Sequence, residues 1–173
     1  MSVHFNVKET GFFSLEQWPV TVCAWRGCCI EVFARAEHSV ADCLRAVEAA
    51  GGALPKAARH SFASSRLKAL RTYIENHDFA GHGKAALERI SAWEPLYAAR
   101  AWLAHGEVQA TPQGITIRHI TFDGTTETRL PLRHVSRIDM LTLLAELESA
   151  QKLLHQQLGQ IKALAPTAKP LTL

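Results

Sequence analysis

Residues 20–50 read VTVCAWRGCCIEVFARAEHSVADCLRAVEAA, and the spacing of their apolar positions decides the fold class. Trp25, Cys28, Cys29, Val32, Phe33, Ala36, Val40, Cys43, Leu44 and Val47 recur at i, i+3, i+4 intervals. At about 3.6 residues per turn they wind into a single stripe of one long helix. Gly51-Gly52 and Pro55 close the run. A helix apolar along one side must lay that side against other elements, so a mainly α domain follows. Upstream, Ser14 with Gln17 reads as a capping box, although Pro19 soon afterwards blurs the helix start. Val3, Phe5 and Val7 alternate as a short strand or a packed arm would.

Downstream the helical period continues. Leu67, Leu70 and Ile74 mark a second helix over roughly 60–76, with Phe62 near its start. The stretch Asn76–Gly83 is rich in turn formers. A third helical stretch over about 84–104 places Ala86, Ile90, Trp93, Tyr97 and Arg100 on one face, with Pro95 predicting a kink or a split into two helices. After Gly106 the period changes to two. Glu107–Ala110, Gly114–Phe122 and Thr125–Leu132 read as strands, joined by Thr111–Gly114 and Asp123-Gly124 turns. A small antiparallel β-meander over about 107–132 is therefore expected before the last helix. That helix opens with Ser136 and Asp139 as its cap. Met140, Leu144, Leu147, Gln151, Leu154, Leu158 and Ile161 then recur at four- and three-residue steps. The seam is the core-facing edge of a closing helix, or a zipper to a second copy. Pro166 and Pro170 predict a frayed tail over about 165–173. The expected architecture is a mainly α bundle of about four helices, one domain over residues 1–173, with the meander inserted before the long C-terminal helix.

Composition excludes several classes. With 173 residues, 47% hydrophobic and 20% charged, the chain is an ordinary globular domain, long enough for one core. No apolar run reaches the roughly 18 residues a membrane span needs, and the start lacks a secretory pattern, so a cytoplasmic protein with no membrane partner is expected. Cys23, Cys28, Cys29 and Cys43 contain no Cys-x-x-Cys pair, so they read as free, mostly buried thiols. His77, Asp78 and His82 crowd one turn, but nothing else supplies ligands at a diagnostic spacing; neither metal nor cofactor is expected. Gly81-His82-Gly83-Lys84 lacks P-loop spacing. The net charge is only +3, yet no acid lies between Glu48 and Glu75, where Lys56, Arg59, Arg66, Lys68 and Arg71 all fall. Arg59, Arg66, Lys68 and Arg71 are candidates to track an RNA backbone, or else a solvated face.

The chemistry concentrates in Arg100-Ala101-Trp102-Leu103-Ala104-His105-Gly106. Arg presents a planar fork of donors suited to phosphate, and His moves a proton near neutral pH. A phosphate clamp beside a proton shuttle suits metal-free RNA cleavage. Basic residues near a helix C-terminus also complement its dipole, which is a purely structural role for the same pair. Glu37 lies on the border of the first apolar stripe, placed to pair with Arg100, to steer His105, or to sit as a half-solvated rim residue. Tyr97 and Trp93, three and seven residues before Arg100, either stack on a base or pack the core.

The Arg, four residues, His, Gly pattern at the end of a penultimate long helix resembles the HEPN superfamily (higher eukaryotes and prokaryotes nucleotide-binding). Leu103-Ala104-His105-Gly106 looks like the form of that motif in several uncharacterised bacterial branches. The likeness extends in outline over roughly residues 20–160. It implies a helical bundle that usually forms a homodimer with the motif helices facing each other. In catalytic members it implies a metal-independent endoribonuclease. His105 would then transfer a proton at the RNA 2′-hydroxyl and Arg100 would stabilise the phosphate; the likeness also points to a defence or toxin–antitoxin setting, with an antitoxin-type protein partner. One position departs: the family commonly carries a polar residue after the Arg, and here Ala101 offers neither donor nor acceptor. Many relatives bind nucleotides or partners without cutting. The alternative is a non-catalytic dimerisation or interaction module in which Arg100 and His105 are structural.

Overall fold

The computed structural model describes residues 17–55, 58, 63–123 and 125–171. The Ser14 cap, the alternation at Val3, Phe5 and Val7, and Arg59 lie outside them. The protein is mainly α, with small antiparallel sheets. The first helix, α1, runs Trp18–Ala49, and Pro19 sits in its opening turn, where a missing N–H breaks no helical bond. Nine of the ten stripe residues are buried; Cys28 is rotated off the stripe and only half-buried. Burial pushes the Cys29 and Cys43 thiols up to about 12, so both stay protonated and inert, while Cys23 is exposed.

Helix α2 (Ala63–Glu75) lays Leu67, Leu70, Tyr73 and Ile74 between α1 and the next helix, α3 (His82–Tyr97). Pro95 does not end α3. α3 runs on to Tyr97, and Ala98, still in right-handed helical conformation, joins it to the short α4 (Ala99–His105). The last helix, α5 (Arg137–Leu164), starts from a complete capping box: Asp139 N–H donates to Ser136 Oγ at 3.1 Å, and Ser136 N–H to Asp139 Oδ2 at 3.3 Å. Its seam faces inward, with Met140, Leu147, Leu154, Leu158 and Ile161 buried and Leu144 and Gln151 half-buried. α5 packs along both α1 and α3, and α4 closes against α1. Phe33 of α1 meets the rings of Trp93 and Tyr97 edge-on, at centroid distances of 5.6 and 6.0 Å.

The strands differ from the expected meander. β1 (His77–Asp78) lies apart; β2 (Glu107–Thr111) and β3 (Gly114–Arg118) form a hairpin, with Thr111 opposite Gly114. The stretch expected as one strand over Gly114–Phe122 breaks at His119. Among the described residues, β4 (Ile120–Asp123) and β5 (Thr126–Arg129) then pair only with each other. The third strand of the main sheet is instead β6 (Arg133–Ser136), giving the order β2-β3-β6. β6 approaches so closely that a Cβ at Gly114 would stand 2.1 Å from the Val135 carbonyl. Two indoles of α1 anchor this region: Trp18 Nε1 donates to Thr111 O at 2.8 Å, and Trp25 Nε1 to Met140 O at 2.7 Å. The tail expected to fray is tied down through Leu171. Ala165–Thr167 forms a 3-10 turn, β7 (Lys169–Pro170) pairs with β1, and Leu171 N–H bonds Asn76 O at 2.9 Å.

Candidate functional site

Helix α4 sets the site because its two ends present different chemistry. At its start Arg100 turns inward to α1, where its Nε lies 2.5 Å from Glu37 Oε1. The pair is only partly wet, with side-chain exposures of 37% for Arg100 and 20% for Glu37. Tyr97 OH donates to the same Glu37 oxygen at 3.3 Å, and the Arg100 guanidinium stands 6.0 Å from the Tyr97 ring centroid. Burial and the Glu37 charge push the Tyr97 phenol up, so it remains a donor. Arg66 of α2 borders the same group, beside Glu37, Trp93 and Tyr97. Glu37, Arg66, Tyr97 and Arg100 are thus brought together from four helices.

Tyr97 also walls an adjoining groove of about 430 Å³, lined by Ser64, Leu67, Lys68, Arg71, Glu94 and Tyr97. Lys68 and Arg71 therefore do share a surface with Tyr97. Arg71 is engaged there, at 2.8 Å from Glu94 and 3.1 Å from Glu75. Those two hydrogen bonds, Glu94 first, push its pKa up. Arg71 is thereby neutralised by its own acids.

At its other end α4 finishes on His105, which is exposed and makes no hydrogen bond or ion pair among the described residues. The helix end does not need the imidazole as a cap. Arg26 of α1 reaches across and donates to Leu103 O at 2.5 Å, Ala104 O at 3.1 Å and Gly106 O at 3.2 Å. Gly106 lets the sheet close on this end, since a Cβ there would stand 2.4 Å from Trp102 O and 2.6 Å from Ile117 Cγ2. Trp102, half-buried, carries the guanidinium of Arg133 of β6 at 5.1 Å from its ring centroid. No hydrogen bond or ion pair joins His105 to Arg100 or to Glu37 among the described residues, so the expected pair is split between two faces of one short helix.

Sequence reasoning missed Arg26, Trp102 and Arg133. Trp102 was findable, because it shares a helix face with His105 at i, i+3. Arg26 and Arg133 act from 80 residues before and 27 residues after Gly106, and only the fold brings them there. The crowded turn is occupied by its own bonds: His77 stacks on Tyr73 at 3.9 Å with Nδ1 2.9 Å from Tyr73 O, and Asp78 Oδ1 accepts from Ala80 N–H. Among the described residues, no helix is long and apolar enough to cross a membrane and no group of His, Cys, Asp and Glu could hold a metal ion. No protein-family model, curated protein or solved structure matches the chain.

Proposed function

We propose that this chain is a HEPN-like helical bundle that binds RNA and cleaves it without a metal, acting as a homodimer. The observation that carries the reading is the state of His105. It terminates a helix whose carbonyls Arg26 already satisfies, so an exposed imidazole is left with no structural duty. In the reaction, His105 accepts the proton of a ribose 2′-hydroxyl. The O2′–P bond forms, the P–O5′ bond breaks, and the 5′-oxygen leaves with a proton from the partner copy's protonated imidazole, the imidazolium. The products are a 2′,3′-cyclic phosphate and a 5′-hydroxyl. A two-fold axis supplies both imidazoles, which ties cleavage to dimerisation. Arg100, once released from Glu37, adds its charge to that of Lys68 beside the groove that Lys68 and Tyr97 line.

The test is an end-labelled RNA incubated with the protein in excess chelator. Cleavage with cyclic-phosphate ends is expected, reduced roughly 10²–10⁴-fold by His105→Ala. Intact RNA with the native protein, or equal cleavage by His105→Ala, overturns the reading. The Arg100–Glu37 pair favours a second reading, a non-catalytic interaction module. There the exposed apolar Ile138 (75% exposed), Leu141 and Leu153 of α5 would meet a partner. It predicts that Arg100→Ala lowers thermal stability with no activity to lose.

A further inference from the structure

Arg100 and His105 stand five residues apart on α4, which turns them about 140° from each other around the helix. The residue that shares the His105 face is Trp102, with Cβ atoms about 5–6 Å apart. Trp102 in turn carries Arg133, whose guanidinium carbon lies over the indole 5.1 Å from its centroid. The sheet explains that placement. Arg133 is directly opposite Ile117 in the β3–β6 ladder, and directly opposite residues point to the same side of a sheet. Ile117 is buried, so this is the side that faces the helices. Gly106 brings the Ile117 side chain against the end of α4, and Arg133 arrives with it, over Trp102.

The local charge is positive. Carbonyl oxygens at a helix C-terminus ordinarily repel an anion, but Arg26 takes those of Leu103, Ala104 and Gly106. The neighbouring acid, Glu107, is held by Arg118 at 2.9 Å. Arg133 itself is exposed and has no acidic partner among the described residues.

We propose that Trp102, His105 and Arg133 form a contact face for single-stranded RNA, in which Arg133, not Arg100, is the cation beside His105 within one subunit. The guanidinium binds the phosphodiester while its plane and the Trp102 indole give a base a stacking platform. This inference rests on the RNA reading above. It is tested with a fluorescein-labelled oligouridylate titrated by anisotropy over a series of salt concentrations.

Arg133→Ala is expected to weaken binding roughly tenfold and to lower the slope of log affinity against log salt by about one. Arg133→Lys should keep the slope and lose part of the affinity, because the charge survives and the plane does not. Arg45→Ala, at the far end of α1, should match the native protein. Native binding left unchanged by Arg133→Ala overturns this site and leaves the RNA reading standing. No binding by the native protein overturns both.

Discussion

The two ends of α4 are built from similar side chains and come out opposite. At the Arg100 end, a cation, a carboxylate and a phenol close on one another in a half-buried cluster. At the His105 end, a second arginine performs the capping, a third lies over an indole, and the imidazole faces solvent. What differs is where the neutralising acid sits. Glu37 reaches Arg100 from α1, whereas Glu107, beside His105, is drawn off by Arg118 across the hairpin. Charge count along the sequence does not distinguish these ends; partner geometry does.

The comparison is broken hardest at Gly106. Gly106→Ala forces a Cβ into Trp102 O and Ile117 Cγ2, and one of the contacts is rigid backbone. Destabilisation of about 2–3 kcal/mol is expected, read as a fall in Tm of roughly 5–10 °C. An unchanged Tm would mean that the sheet does not rest on α4. Next comes Arg26→Ala, which leaves three helix-end carbonyls without their donor; a loss of about 1–2 kcal/mol is expected in urea unfolding. Arg26→Met, which retains the apolar stem, should recover little of it, separating the lost hydrogen bonds from lost packing. Full recovery by Met would reduce Arg26 to a packing residue.

Helical periodicity made most of the architecture legible. The stripe of α1 and the seam of α5 are long enough that single misfits such as Cys28 or Gln151 do not disturb them. The capping box at Ser136 is local chemistry and could be read from four residues. The strands were less legible because period-two alternation does not say which neighbour a strand takes. Among the described residues β5 pairs with β4 alone, while β6, only four residues long, completes the sheet. The tail escaped for a related reason: Pro166 and Pro170 mark where a helix cannot continue, and only the distant β1 shows what replaces it. At the site, Glu37 was visible as a polar residue on a stripe border. Arg26 and Arg133 had no sequence signal of their own, since their roles depend on elements far along the chain.

The smallest effect sharpens the comparison most. A double-mutant cycle on Glu37→Gln and Arg100→Ala measures how firmly the inward end is closed. Both groups keep some solvent, so the coupling is expected at roughly 1 kcal/mol, well short of a buried pair. The same cycle on Arg45 and Asp42, a pair exposed at 74% and 46%, sets the baseline near a few tenths. Coupling in excess of that baseline, with RNA affinity raised by Glu37→Gln, means that Glu37 holds Arg100 back from phosphate. Equal coupling in the two pairs would mean that Arg100 is as open to a ligand as any surface arginine. The contrast between the two ends of α4 would then rest on His105 and Arg133 alone.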